Sequence, residues 1–360
     1  MTLLSPLLGV LLLGARMSLA PHLTPLTAEE QAVKTALLSL VRREQQAMLR
    51  HDERALRLVF LDGSPDGPAA RRMLERRDLF LAWARERGVA LRLRSLALRT
   101  PAIAFLPDGR AQVTAVVSEA YSYRYLGERH EERFGLGVRH YYVLARHGDA
   151  WRIAADDFTG PAPEGDGPAR PAPGLWPRSR PPASTAGGRR AAAYADRFCG
   201  AAPGCGNGGF YNPRYRNFNG DGGDCTNFIS QSLAAGGLRE NATWAYSARA
   251  GDGTRAWSNA DGLSDHLAAS GRASPIAHGR YSAVAASASG ATKGADRLLR
   301  LGDLVSYMQH GEVVHTAVVT AFDAHGVPLV DAHTNDRYHT PWDLGWGSRA
   351  VYRLWRVDYG

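Results

Sequence analysis

The chain has 360 residues, 44% of them hydrophobic and 22% charged. That composition excludes fibrous, collagen-like and wholly disordered classes, and the length makes two domains the natural expectation. The formal charge of +8 rests on arginine, because Lys34 and Lys293 are the only lysines. The arginines are dispersed, without basic–aromatic alternation or a nucleic-acid module, so nucleic acid is not an expected partner. A basic protein of this kind is still compatible with an anionic polymer or surface.

In chain order, the first segment is "MTLLSPLLGVLLLGARMSLAP". Its apolar run at 7–13 is far shorter than the ~20 residues of a membrane span. It fits the h-region of a secretory signal over 1–20, with "SLA" as a small-x-small cleavage site. The signal is atypical, since no basic n-region precedes the run. Export to the cell envelope or medium is the expectation, and no other stretch could span a membrane.

Residues 25–160 read as one α+β unit. Thr27 and Glu30 stand at capping-box spacing. Val33, Leu37, Leu40, Val41 and Met48 follow with a helical period. A second helix is expected around "ARRMLERRDLFLAWARERG". The pattern then changes to strands, with a hairpin turn at Asp108-Gly109 and another at Gly148-Asp149. Helices followed by antiparallel strands ending in "WRIAADDF" resemble the cone-shaped NTF2-like fold. That fold hosts many functions, so no activity follows from it. No constellation of acids or histidines in this stretch demands chemistry, and a packing or binding role is expected. Residues 161–188 are rich in Pro, Gly and Ala and read as a linker.

Residues 189–358 form the second unit. Cys199 and Cys205 lie six apart in the flexible loop "FCGAAPGCG". In an exported protein a disulfide is expected there. The third cysteine, Cys225, is then unpaired. It stands in "GDGGDCTNFISQSLAAGG", where Phe228, Ile229 and Leu233 give one apolar helical face and Gly236-Gly237 stop the helix. Asp224 is the expected N-cap, so Cys225 falls in the first turn. Free N–H groups and the positive end of the helix dipole favour a thiolate there, and a lowered pKa is expected. The same N–H groups could hold a developing oxyanion.

A cysteine nucleophile needs a base. His315, within "GEVVHTAVV", is the best candidate, on an apolar strand. A hairpin is expected to bring back "VDAHTND", where His333 ranks first as the third polar group, Asn335 second and Asp331 third. A metal set drawn from Cys225, His310, His315, His333 and His339 lacks any paired-ligand motif. A calcium loop counted from Asn217 places Phe228 where a carboxylate is required. No metal or organic cofactor is expected.

"YNPRYRNFNGDGGDCTNFISQSLAAGG", "GDLVSYMQHGEVVHTAVVT" and "VDAHTND" resemble the signature of the putative amidase domain family over about 189–358. That family is similar in layout to NlpC/P60 and CHAP enzymes, which are papain-like cysteine peptidases and amidases. The resemblance implies Cys on a helix, His on the first core strand and a polar residue on the next, positions filled by Cys225, His315 and His333. It also implies upstream polar support for an oxyanion, with Tyr211, Tyr215 and Asn217 in range. The expected protein is an exported cysteine amidase or peptidase, with peptide or peptidoglycan-like amides as substrate. The competing expectation is a catalytically inactive wall-binding or scaffold protein that keeps the fold.

Overall fold

A computed structural model describes residues 25–50, 52–61, 68–158, 178–285 and 294–360. The expected signal segment and most of the expected linker lie outside these residues. The chain opens with α1 (Ala28–Arg50), α2 (Glu53–Arg57) and α3 (Pro68–Glu86). The capping box forms: Thr27 N donates to Glu30 Oε2 at 2.7 Å, and Glu30 N donates to Thr27 Oγ1 at 3.2 Å. Val33, Leu37, Leu40, Val41 and Met48 are all buried on one face of α1. They pack on the inner side chains of β1 (Val89–Phe105), β2 (Ala111–Tyr125), β3 (Glu132–His147) and β4 (Ala150–Phe158). The turns fall where glycine permits a positive φ, at Gly109 and Gly148.

The second unit contains α4 (Ala186–Phe198), α5 (Cys225–Gly236), the short pair β5 (Tyr246–Ser247) and β6 (Asp252–Gly253), α6 (Arg255–Ser258), α7 (Ala260–Ser270), β7 (Ala273–Arg280) and α8 (Tyr281–Val284). It closes with β8 (Leu304–Gln309), β9 (Glu312–Phe322), β10 (Pro328–Ala332), β11 (Asn335–Pro341) and β12 (Val351–Val357). The class is α+β, with antiparallel pairing between neighbouring strands. Among the described residues no helix is long and apolar enough to cross a membrane.

Two units joined by a flexible tether do not describe this arrangement. One sheet runs through both, in the order β1-β2-β3-β11-β10-β9-β8-β12-β7, with β4 also on β3. The length of β3 makes this feasible. Its second half pairs with β4, from His140 to His147. Its first half pairs on the same edge with β11, Val138 opposite Asn335 and Gly135 opposite Tyr338. Side-chain contacts reinforce the seam. Trp83 of α3 and Arg87, just past its end, both bond the buried Asp343 carboxylate, and the Tyr123 and Tyr125 hydroxyls donate to Asp323.

Strand alternation divides the second unit into two cores, one on each sheet face. Leu304, Val318 and Trp355 pack with α4, α5 and α7. Val305, Tyr307, Ala317, Val319 and Ala332 face the other way, toward Tyr281, Trp342 and Trp346. This division fixes which histidines can approach α5.

Candidate functional site

Helix α5 buries Phe228, Ile229 and Leu233 and ends at Gly237, whose φ is 116°. Asp224 occupies the N-cap position, but its side chain makes no capping bond. Thr334, in the turn between β10 and β11, caps the helix from outside: its Oγ1 accepts from Asp224 N at 2.8 Å and Cys225 N at 3.2 Å. Two glycines admit this contact. Gly222 and Gly223 hold φ values of 103° and 129°, and a Cβ on Gly223 would stand 2.9 Å from Thr334 Oγ1.

The Asp224 carboxylate is used elsewhere. Its Oδ1 accepts from Phe218 N at 2.8 Å and Asn227 Nδ2 at 2.9 Å, closing the turn before the helix. Its Oδ2 lies 2.6 Å from His333 Nδ1, and His333 Nε2 lies 2.7 Å from the Phe198 carbonyl. Both partners accept, so the ring satisfies both only as an imidazolium. The ring is sandwiched between Tyr211 at 3.7 Å and Phe228 at 3.9 Å, centroid to centroid. His333 is therefore fixed against the first turn of α5 by two hydrogen bonds and two aromatic faces.

Cys225 is the free cysteine and is half-buried. Its Sγ lies 3.7 Å from Thr226 Oγ1 and close to the Thr316 backbone. The expected lowered pKa is not found. Burial pushes the thiol up, and the nearby Asp224 charge adds to that shift. Of the N–H groups expected to hold an oxyanion at the helix start, that of Cys225 is already bonded to Thr334.

His315 does not meet Cys225. It stands opposite Tyr307 in the β8–β9 ladder and packs near Tyr307 and Trp346, at 5.6 and 5.9 Å, on the face away from α5. Thr316 and Val318 take the α5 face instead. Both His315 ring nitrogens are buried without a hydrogen-bond partner. Burial, with the Arg337 guanidinium nearby, pushes its pKa down to about 3. His315 does stand on a strand, but its side chain leaves on the wrong face for the expected dyad. Among the described residues, no hydrogen bond joins Cys225 to an imidazole.

The other expected residues separate. Tyr211 reaches the site, donating to Asp336 Oδ1 at 2.5 Å and accepting from Asn219 Nδ2 at 2.9 Å. Tyr215 packs against Tyr246 and Trp257. Asn217 is exposed, its Oδ1 accepting from Asn219 N. Asn335 does not share the His333 side: Thr334, at φ 77°, breaks the strand, and Asn335 begins β11 opposite Val138. Its Oδ1 is buried without a partner beside a cavity of about 60 Å³ lined by Arg76 and Arg337. Asp331 lies on the His333 side of β10 but bonds Thr320 Oγ1 and His339 N. His310 sits in the β8–β9 turn.

Sequence reasoning missed Asp336 and Thr334, both inside the quoted "HTND". Asp336 accepts from Tyr211 and, at 2.7 Å, from Ala201 N of the cysteine loop. Burial raises its pKa to about 6, although the His333 charge and the Tyr211 hydroxyl pull the other way. Cys199 and Cys205 form a disulfide that closes this loop. The loop also seats against β3, where a Cβ on Gly135 would lie 2.1 Å from Pro203 O. A further group was invisible in sequence. His140 and Asp156 pair at 2.8 Å inside the first unit, near buried Glu44, whose carboxyl burial holds well above its ordinary value. These residues are spread over three elements, so no local spacing announces them.

Comparison with known proteins adds the following. No curated protein matches the chain. Among solved structures, the intermembrane space region of chloroplast protein ARC6 is similar over 38% of this chain and 98% of its own, at 15% identity and a TM-score of 0.26. A putative scytalone dehydratase from Novosphingobium aromaticivorans is similar over 36% and 83%, at 16% identity and a TM-score of 0.23. Likeness at those scores carries no argument. A family model described as "Putative amidase domain" matches residues 187–354. That span holds α5, His333, Asp336 and the disulfide loop, and the family description points to hydrolysis of an amide C–N bond. Over residues 187–354 this chain is similar to the putative amidase domain family.

Proposed function

We propose that the chain is a cysteine-dependent amide hydrolase in which Cys225 is the nucleophile and His333 its imidazole partner. The observation that carries this reading is the placement of His333 and Asp224 against the first turn of the helix that begins with Cys225. A carboxylate beside a thiol opposes thiolate formation; tied to an imidazolium, that carboxylate is offset, and the cost falls. In the proposed reaction His333 leaves the Phe198 carbonyl and gives its Nε2 proton to solvent, and the freed Nε2 turns to Cys225 to accept the thiol proton while Nδ1–H stays on Asp224. Proton transfer then yields the thiolate, which attacks the amide carbonyl carbon. The imidazolium protonates the leaving amine, and water releases the acyl group from sulfur. The Asp224 bond to Nδ1 keeps Nε2 as the working nitrogen.

The papain-like reading of the second unit is supported by a cysteine-bearing helix packed on an antiparallel sheet. The helix-then-strand order of the first unit supports the NTF2-like reading. Export is supported by the disulfide, which persists in oxidising compartments. With a charge of +8, the chain suits peptide amides carried by an anionic cell wall.

The test is release of amines from peptidoglycan fragments and peptide amides by wild type, Cys225→Ala, His333→Ala and His315→Phe. The first two variants should be inactive and the third should retain most activity. Loss in His315→Phe with activity kept in His333→Ala would return the base to His315. A second reading, a wall-binding protein without catalysis, is favoured by the thiol's raised pKa and its lack of an imidazole bond. Wall binding by wild type and Cys225→Ala alike, with no turnover on any amide, would select it.

A further inference from the structure

One cluster lies outside the proposed chemistry. Asp196 on α4, Asp331 on β10 and His339 on β11 each place one ligand-type atom within 4.8 Å of the other two. Asp331 is fully buried. Its Oδ1 accepts from Thr320 Oγ1 at 2.9 Å and His339 N at 2.8 Å, whereas its Oδ2 is buried with no hydrogen-bond partner. His339 Nε2 lies 2.9 Å from Asp196 Oδ1, and the imidazole is stacked on Tyr338 at 3.9 Å. His339 holds a φ of 49°, a conformation an L-residue adopts at a cost. Two carboxylates brought together, one buried with an orphan oxygen, need either a shared proton or a cation.

We propose that Asp196, Asp331 and His339 form a binding site for a divalent transition-metal cation. Metal–ligand bonds of about 2.0–2.2 Å place neighbouring ligand atoms roughly 3–4 Å apart, which the cluster already approaches. Two carboxylates cancel the charge of the ion, and one imidazole favours a transition metal over Ca²⁺ or Mg²⁺. The site is reachable. Asp196 and His339 keep 38% and 23% of their side-chain surface exposed, and His339 lines a cleft of about 720 Å³ with Tyr338, Gly204 and His130. Open positions on the ion would be filled by water from that cleft.

The cation joins three elements at the back of the candidate active site. Asp196 is two residues before Phe198, whose carbonyl holds His333, and Asp331 is two residues before His333 itself. The ion therefore clamps α4 to β10 and β11 beside the imidazole without touching the reacting atoms. It is structural, and it does not depend on the amidase reading.

The probe is Mn²⁺, which avoids the thiol of Cys225 and loses its six-line EPR signal on binding. Full-length chain is stripped with EDTA and titrated, alongside Asp331→Asn and His339→Gln. One ion per wild-type chain, at least tenfold weaker binding in both variants and a Tm that rises with Mn²⁺ only in wild type are expected. Asp196→Asn, at a part-exposed helix position, repeats the test should the buried variant fail to fold. No binding in wild type, or equal binding in His339→Gln and Asp196→Asn, overturns the site and leaves a carboxyl pair sharing a proton.

Discussion

At the scale of single residues, His315 and Asp336 carry opposite pH dependences. Folding lowers the His315 pKa from 6.5 to about 3. Its stability contribution is therefore present above pH 6.5 and lost as pH falls toward 3. Folding raises Asp336 from 3.8 to about 6, so its contribution is present below pH 3.8 and lost as pH rises through 6. The charged and titratable groups around Asp336 are His333, Tyr211 and Asp224. Between pH 4 and 6 the two slopes oppose each other in wild type, each reaching on the order of 3–5 kcal/mol at full extent. Denaturant unfolding across that range should separate them. Asp336→Asn should become more acid-sensitive than wild type, and His315→Phe less so. Parallel profiles for all three proteins would remove both assignments. The thiol makes a third residue-scale prediction: iodoacetamide should modify Cys225 with a midpoint above the ~8.5 of an ordinary cysteine. A midpoint below 8 would show an activated thiolate instead.

At the scale of elements, the start of α5 depends on a residue more than one hundred positions downstream. Thr334→Val keeps the shape but removes the acceptor for two helix N–H groups. A loss of about 1–2 kcal/mol is expected, the range for losing a helix cap. Asp224→Asn should cost more, because the same carboxylate closes the 218–224 turn and holds His333. The seat of the disulfide loop makes another element-scale prediction. Gly135 has ordinary backbone angles, so its requirement is space alone; Gly135→Ala pushes a Cβ into the Pro203 backbone. About 1–3 kcal/mol should be lost. His333 and Asp336 should also loosen, visible as faster amide exchange at Ala201. Unchanged stability in Gly135→Ala would mean the loop is not docked on β3.

At the scale of the whole molecule, a single sheet spanning both units implies one cooperative transition. Calorimetric and van't Hoff enthalpies should agree for the full chain, and two resolved transitions would contradict the β3–β11 pairing. The Arg87–Asp343 pair at the seam is fully buried. Arg87→Met leaves the carboxylate with Trp83 Nε1 but without the guanidinium that bonds it. Removing one partner of such a pair costs about 3–5 kcal/mol, so this variant should lower the single Tm rather than split it.

The sequence alone determined features set by local chain physics. The α1 capping box, its apolar stripe, the glycine-turned hairpins and the short cysteine loop are properties of neighbouring residues, and each was legible before any fold was known. Cys225 at the head of a helix was legible for the same reason. Only tertiary structure decided what surrounds that cysteine. Side-chain direction on β9 depends on pairing register, and one step in register sends His315 to the far face and Thr316 to the near one. The Thr334 cap, the Asp224–His333 pair and the Asp336 network each join segments far apart in the chain. The shared sheet likewise depends on β3 being long enough to pair with both β4 and β11. Spacing in a sequence encodes period and local caps; it does not encode which distant polar group fills a vacant hydrogen bond.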